Sequence, residues 1–428
     1  MALPQAKTDA LEARIAGLSL PAAGWSVPAR KEALARLSGM GLPAKRDEYW
    51  RYTDPSSLTA VSPKAAAPLE AADEAPAFDG IDRLTLVFVD GVFDAAASDD
   101  PALAGVEISR LAEAGPDIHW ARDLYGVLEA RGQSPVQRPL SALNTAFASD
   151  GILIRATAKA AKPVSLVYVH KSEVSDAILH HCIKVDAGAE LTVLESGPAA
   201  ARFNKVMEVD VAEGGRFHHI RTQGRDHDRR AVTHIFARLA AESLFKSFTL
   251  TANGRLTRNE AVLELLGDDA VAHVAGAAVG DGDFLHDDTV FITHQGERCE
   301  SRQVFKKVLK NGAVGVFQGK ILVKPGAQKT DGYQISQSLL LDDDSQFLAK
   351  PELEIYADDV QCSHGSTSGA IDETALFYLR SRGVPMREAQ ALLVLAFLAE
   401  AITEIEDEAL ADDIRSRMEG WLNRHKGA

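Results

Sequence analysis

The sequence predicts a mainly β protein whose strands lie between helical regions at both ends of the chain. From Gly151 to Val360, short apolar or alternating runs such as ILIRA, VSLVYVH and ELTVLES recur. Gly, Asp and Asn separate these runs and long helical periods are absent, which is typical of an all-β region of roughly two hundred residues. A sandwich, a barrel and a solenoid all fit this pattern, because no repeat of fixed period stands out.

The region before the strands, residues 1–150, mixes helical and extended patterns. Apolar residues recur at helical spacing over 1–60 and again over 107–148, and a strand is predicted at Leu84–Asp90. The stretch 61–78 is rich in Ala, Pro and acidic residues, which is typical of a linker or loop.

The final part of the chain is predicted to be helical. Asp372 can cap the first helix, because an aspartate at this position accepts hydrogen bonds from the free N–H groups of the first turn. A last helix is predicted over Ala409–Asn423. Between them, a helix carries a broad apolar face that includes Leu392, Leu393, Ala396 and Phe397.

Composition excludes several classes of protein. Hydrophobic residues make up 46% and charged residues 25% of the 428 residues, as in soluble globular proteins. The net charge of −15 argues against nucleic-acid binding, which needs a basic surface. No apolar stretch has the length needed to span a membrane, so no membrane segment is predicted.

The cysteines and the catalytic motifs limit the chemistry further. Cys182, Cys299 and Cys362 are few and odd in number, so no disulfide framework is expected and a reducing cytoplasm fits best. Four closely spaced cysteines are lacking, so we expect no permanent cluster held by this chain alone. The sequence also lacks the phosphate-binding P-loop and the G-x-S-x-G motif, so neither ATP hydrolysis nor a hydrolytic triad is expected.

A polar cluster near the end of the strands is the strongest candidate site. Asp358, Asp359, Cys362, Ser363 and His364 fall within one short segment. On an extended chain Cys362 and His364 share a face, and a thiolate with an imidazole forms half of a site for a thiophilic metal. A structural role, in which these side chains satisfy the end of the β region, is equally compatible with the residues.

The run FLHDDTVFITHQGE offers a rival site. His286 and His294 lie there beside two aspartates, so a metal-dependent β-helix or cupin-like enzyme is an alternative. Their spacing matches no ligand pattern that we can name. His218 and His219 cannot chelate one ion together, because adjacent residues on a strand point to opposite faces.

Several ordered motifs carry a family resemblance. The run EIYADDVQCSHGSTSG, followed by LFYLRSRG, resembles the C-terminal signature of the SufB/SufD family of iron–sulfur cluster assembly scaffolds, in its SufD branch. The SufB branch is the weaker alternative, since its members are typically longer and carry more cysteines. Further matches occur in the family's order: EYWRYTD at Glu48–Asp54, FVDGVF at Phe88–Phe93, LNTAFASDG at Leu143–Gly151 and VFQGKILVKPGAQKTDGYQ at Val316–Gln334.

The resemblance implies a fold and a set of partners. It implies a right-handed parallel β-helix at 151–365, an N-terminal helical or mixed region at 1–150 and a C-terminal helical region at 366–428. It further implies a scaffold rather than an enzyme, which pairs with SufB and binds the ATPase SufC through the apolar face of the terminal helices. In isolation, a second copy of the chain is a possible partner.

The resemblance also implies roles for the residues of the polar cluster. His364 matches the family's interface histidine, and Cys362 matches the cysteine beside it. Asp358 and Asp359 are then candidates to orient the imidazole through a hydrogen bond. The implied cargo is a transient iron–sulfur cluster or iron shared with SufB, with no cofactor bound tightly by this chain alone.

Overall fold

The computed structural model describes residues 4–21, 24–68, 75–113 and 119–425. Within this part of the chain, a short 3-10 turn lies at Glu48–Trp50, and the described helices are α1 (Gln5–Ile15), α2 (Val27–Met40), α3 (Ser56–Thr59), α4 (His119–Arg122), α5 (Val127–Arg131), α6 (Pro139–Phe147), α7 (Glu373–Ser381), α8 (Met386–Ile402) and α9 (Glu408–Arg424). None of these helices is long and apolar enough to cross a membrane.

The described strands run from β1 to β19. They are β1 (Leu84–Val89), β2 (Val92–Asp94), β3 (Val106–Arg110), β4 (Ile152–Ala156), β5 (Val164–Val169), β6 (Asp176–Val185), β7 (Glu190–Ser196), β8 (Arg202–Val211), β9 (Arg216–Gly224), β10 (Arg230–Leu239), β11 (Leu244–Ala252), β12 (Leu256–Leu265), β13 (Val271–Asp281), β14 (Leu285–His294), β15 (Glu300–Lys310), β16 (Val314–Val323), β17 (Asp331–Leu340), β18 (Gln346–Ile355) and β19 (Gln361–Gly369).

The strands form a parallel β-helix, which confirms the fold implied by the resemblance. Odd-numbered strands from β5 to β19 stack in one sheet, here called sheet A, and even-numbered strands from β4 to β18 stack in a second sheet, sheet B. Each strand from β4 to β17 pairs in parallel with the strand two places further along the chain. The chain thus winds through about seven coils. Among the described strands, the antiparallel pairs lie at the start of the β-helix, between β1 and β2 and between β3 and β4.

The tight turns between the sheets stack on one another. In five of the turns that lead from sheet B to sheet A, the residue two positions before the next strand has positive φ, which is the left-handed region that favours glycine. The N–H of each such residue donates to a carbonyl of the following turn, for example from Gly188 to Glu213 and from Glu242 to Asp268. The five residues are Gly188, Gly214, Glu242, Asp269 and Arg298.

Alternate side chains along each strand point into the coil or out of it. The inward side chains form most of the main apolar core, including Leu166, Ile183 and Phe217. On the outer face of sheet B, α2 and α6 pack in a second apolar cluster with Cys182 and Phe236. The N-terminal helices therefore cover sheet B.

The C-terminal helices cover the outer face of sheet A. Val394 and Leu398 of α8 and Trp421 of α9 are buried in one apolar cluster with Leu250 and Val308 of the sheet. The predicted cap of α7 is confirmed, because the Asp372 side chain accepts hydrogen bonds from the N–H groups of Thr374 and Ala375.

Candidate functional site

The β-helix ends in two strands that each have a free edge. β19 is the last strand of sheet A and β18 is the last strand of sheet B. β19 pairs with β17 on its inner side, and β18 pairs with β16. Among the described residues no strand pairs with the outer edges of β18 and β19. These edges present backbone donors and acceptors in the arrangement that accepts a further strand.

Cys362 and His364 lie on the inward face of β19. Gly332 and Gln334 of β17 are their register partners, and both of these partners are buried. Cys362 packs against a small apolar cluster that contains Ile321 and Val323 of sheet B. The face that Cys362 and His364 share therefore points toward the space between the two sheets, at the open end of the last coil.

Two glycines make room for this arrangement. A Cβ atom on Gly332 would lie 3.2 Å from the Cys362 sulfur, and a Cβ on Gly319 would lie 2.1 Å from Nε2 of Gln334. Both glycines belong to the run VFQGKILVKPGAQKTDGYQ at Val316–Gln334, one of the motifs that carry the family resemblance. The structure gives a steric reason for these two residues.

The two candidate ligands differ in exposure. The Cys362 side chain is half-buried, and burial is the main cause that raises the pKa of its thiol. His364 is exposed, because no further coil covers it. Since a thiolate is the metal-binding form, the raised pKa disfavours metal binding by Cys362 in this environment.

The sequence did not identify the amide groups beneath His364. Gln303, Gln334 and His364 occupy the same register position on three successive strands of sheet A. Nε2 of Gln334 donates to Oε1 of Gln303 at 2.7 Å, and Oε1 of Gln334 is buried without a hydrogen-bond partner in the described structure. This acceptor lies one strand away from His364. Only the coil register reveals it, because these residues are far apart in the sequence.

Asp358 and Asp359 lie in the exposed turn between β18 and β19. The carboxylate of Asp359 lies 3.7 Å from Lys329, and its backbone N–H donates to Gln328. In the part of the chain that the structure describes, neither aspartate forms a hydrogen bond with His364. Their role in orienting the imidazole stays a prediction.

The predicted apolar face of α8 is divided by the structure. Leu392, which is 47% exposed, and Ala396 face solvent. Leu393 and Phe397 are half-buried, and the Phe397 ring lies 4.8 Å from Nζ of Lys306. The exposed part of the face is thus available to another protein, while Phe397 also contributes to docking of the helix.

The histidines of the rival site form separate contacts inside the β-helix. His286 contacts Lys307 at 2.8 Å and Asn259 at 3.2 Å, and His294 contacts Ser301 at 2.8 Å. Burial lowers the pKa of His286 to about 3 and that of His294 to about 4. Among the described residues, no group of three His, Cys, Asp or Glu side chains is arranged to hold a metal ion.

Comparison with known proteins agrees with this geometry. A profile described as "SUF system FeS cluster assembly, SufBD core domain" matches residues 168–397, which include most of the β-helix and the strand with Cys362 and His364. The chain belongs to the SufBD family.

Individual relatives in the SufBD family extend the match to most of the chain. The iron–sulfur cluster assembly protein SufD of Escherichia coli is 29% identical over 91% of this chain and 92% of its own length. A SufBD family protein of Synechocystis is 27% identical over 90% of this chain and 89% of its own length. SufD of Bacillus subtilis is 28% identical over 66% of this chain and 67% of its own length.

Proposed function

We propose that this chain is the SufD-type scaffold subunit of an iron–sulfur cluster assembly complex, without enzymatic activity of its own. The observation that carries the proposal is the position of Cys362 and His364 on the inward face of the terminal strand β19, whose outer edge is free. Potential metal ligands and an unpaired strand edge thus occur together at one end of the β-helix.

A SufB-type subunit would continue the sheets at this end. Strand addition satisfies the free backbone groups of an edge and places side chains of both chains on shared faces. Exposed apolar residues beside the edge, Ile355 and Tyr356, would add buried area to the interface. In the absence of SufB, a second copy of this chain is the expected occupant.

The cargo would be iron or a nascent iron–sulfur cluster, shared between the two subunits. One thiolate and one imidazole from this chain form an incomplete site, so the partner supplies the remaining ligands. Covering the end of the coil would change the surroundings of Cys362, whose thiol pKa is raised by burial, and metal binding would draw off its proton. An incomplete site suits a cluster that must be released after assembly.

The ATPase SufC would dock on the C-terminal helices. The exposed apolar residues Leu392 and Ala396 of α8 supply the contact surface. Because α8 and α9 pack directly on sheet A, movement of an ATPase bound to them would be transmitted to the β-helix. A cytoplasmic location, suggested by the cysteine content, belongs to the same proposal.

The decisive experiment compares variants of the inward face of β19 in the assembled complex. His364→Ala should leave complex formation and ATP hydrolysis largely intact and lower the rate of cluster reconstitution. Cys362→Ala should lower the rate of cluster reconstitution less, because thiolates of the partner can compensate. Ser366→Ala is the matched control, since Ser366 lies on the same face of the same strand. Cluster assembly by His364→Ala at the wild-type rate would remove the basis of the site assignment.

Metal analysis of the isolated chain separates the scaffold from the rival enzyme. A metalloenzyme that used His286 and His294 should retain near-stoichiometric metal through purification. The scaffold should retain much less, since its site is completed only by the partner. Stoichiometric metal that is lost in His286→Ala would favour the enzyme.

A further inference from the structure

A row of inward side chains crosses the last three strands of sheet A and ends at His364. Gln303 of β15, Gln334 of β17 and His364 of β19 are register partners, and both glutamines are fully buried. Neighbouring strands of a sheet lie about 4.8 Å apart, so the amide of Gln334 is within reach of the imidazole. The row therefore brings a buried amide next to the candidate metal ligand.

The amide of Gln334 is held in place from two sides. Its Nε2 donates to Oε1 of Gln303 at 2.7 Å. On the opposite wall of the coil, Gly319 of β16 lies so close that an added Cβ would be 2.1 Å from Nε2 and 2.6 Å from Cδ of Gln334. Since the nitrogen is bonded to Gln303, the carbonyl oxygen is the group that is left for another partner.

This carbonyl oxygen has no hydrogen-bond partner among the described atoms, and neither has Nε2 of Gln303 at the other end of the row. Buried polar atoms in folded proteins are nearly always hydrogen-bonded. An imidazole N–H is a donor that matches the orphaned acceptor of Gln334. His364 has two ring nitrogens at the adjacent register position, and its side chain is still exposed because no further coil covers it.

Other polar side chains at this end of the β-helix are already paired or lie outside the coil. On the inward face of the same two strands, Ser336 contacts Ser366 at 3.0 Å. The carboxylate of Asp359 lies in the exposed turn, 3.7 Å from Lys329. The orphaned oxygen of Gln334 is thus the acceptor that the inward face offers to the imidazole.

We propose that Gln334 is a positioning residue of the cluster site: its carbonyl oxygen accepts a hydrogen bond from one ring nitrogen of His364 when a partner covers the open coil. This bond fixes which nitrogen carries the proton and leaves the other nitrogen to bind iron. Metal-bound histidines usually donate their second ring N–H to such an acceptor. Gln334, rather than Asp358 or Asp359, then orients the imidazole. The inference rests on the proposed function of His364.

The first experiment measures where the imidazole proton lies. This chain is prepared with isotope-labelled histidine and assembled with a SufB-type subunit, and the ring nitrogens are observed by solid-state NMR of the sedimented complex. The spectrum of His364→Gln identifies the signals of His364. We expect one tautomer in the wild type and a mixture of both in Gln334→Met, which has a similar size but no oxygen. Identical tautomer populations in the two proteins would overturn the proposal.

Two further variants separate positioning from packing. Gln303→Met removes the same bond between the glutamines but keeps the carbonyl beside His364, so one tautomer should persist. Gln334→Glu keeps an acceptor and should also preserve one tautomer, because Gln303 can turn its amide, whose Nε2 has no partner, toward the new carboxylate. Circular dichroism establishes that all variants are folded. A mixture of tautomers in Gln303→Met as large as that in Gln334→Met would indicate a purely structural role and contradict the proposal.

The rate of cluster reconstitution distinguishes a failure of this inference from a failure of the proposed function. Gln334→Met should assemble clusters about tenfold more slowly than the wild type. Gln334→Glu should recover most of the rate, and both variants should bind SufB as the wild type does. A wild-type rate in Gln334→Met, with a lowered rate in His364→Ala, would overturn the role of Gln334 alone. Wild-type rates in both variants would remove the site itself.

Discussion

Gly332 lies directly opposite Cys362 on the neighbouring strand, and its hydrogen atoms occupy the space where a Cβ would come within 3.2 Å of the cysteine sulfur. Gly319 of sheet B faces the Gln334 side chain of sheet A across the coil, and its position is tighter: a Cβ there would lie 2.1 Å from Nε2 of Gln334 and 2.7 Å from the Phe317 ring.

Replacement of the two glycines by alanine should therefore lower the free energy of unfolding by different amounts. Gly319→Ala should lower the free energy of unfolding by about 1–3 kcal/mol, because both neighbours are buried and the core becomes overpacked. Gly332→Ala should cost less, since the half-buried thiol at the open end can move. Urea denaturation of both variants measures the difference, and a larger loss in Gly332→Ala would contradict the assignment of Gly319 as the tighter position.

Because the outer edge of β19 is free, a proline on this strand can block pairing with a partner strand without unfolding the chain. Gln361 donates its backbone N–H to Thr330 of the inner neighbour. N–H groups alternate in direction along a strand, so the N–H of Ser366 points to the free edge and that of Thr367 points to β17. Proline lacks this donor and is tolerated at free edges.

Ser366→Pro should therefore abolish binding of SufB, or of a second copy, while the urea midpoint changes little. Thr367→Pro should lower the free energy of unfolding by at least about 1 kcal/mol, because it removes a hydrogen bond of the sheet. Ser366→Ala controls for the lost hydroxyl, which contacts Ser336 at 3.0 Å. Light scattering and pull-down assays give the readout. Undiminished association of Ser366→Pro would exclude pairing at this edge.

The exposed part of α8 predicts the effect of a charge on ATPase binding. Leu392→Asp should reduce SufC capture at least tenfold, because a carboxylate would be buried in the contact. The matched control is Val174→Asp, another exposed apolar position, which lies between β5 and β6. Circular dichroism establishes that both variants are folded. Equal capture by the two variants would place the SufC surface elsewhere.

The buried carboxyl group of Glu208 predicts a dependence of stability on pH. Burial raises its pKa to about 8, although the N–H groups of Gly126 and Leu128 donate to it at 2.5 and 3.0 Å. A carboxyl group in an unfolded chain has a pKa of about 4.3. The folded state therefore binds the proton more tightly, so the contribution of Glu208 to stability is present below about pH 4 and is lost as pH rises to about 8.

Glu208→Gln should remove this contribution. The loss of stability between pH 5 and 8 should be smaller in the variant than in the wild type, by up to about 1.4 kcal/mol for each pH unit in which the carboxyl group is ionised in the unfolded chain and protonated in the folded protein. The amide nitrogen of the variant would replace an oxygen that accepts a backbone N–H, so the variant loses one hydrogen bond at every pH, and the shape of the pH profile is the readout. Urea denaturation across this pH range gives the comparison. Parallel pH profiles would show that Glu208 is ionised in the folded protein.

The sequence could not distinguish a solenoid from a sandwich by its own repeat. The recurring left-handed position in the turns is occupied by Gly188 and Gly214, but also by Glu242, Asp269 and Arg298. Different side chains tolerate the same backbone conformation when the stacked turns hold it through hydrogen bonds. The repeat is therefore one of backbone geometry rather than of residue type, and only the family resemblance predicted the β-helix in advance.

The sequence by itself determined what depends on neighbours along the chain: the strands, the cap at Asp372, and the common face of Cys362 and His364. Only the tertiary structure decided that this face points into the open last coil, that Gln334 lies next to His364 in register, and that Gly319 and Gly332 leave room for the side chains. These relations join residues on different strands of the coil. The physical reason is that register across the stack is fixed by packing and backbone hydrogen bonds between coils, which leave no local periodicity in the sequence.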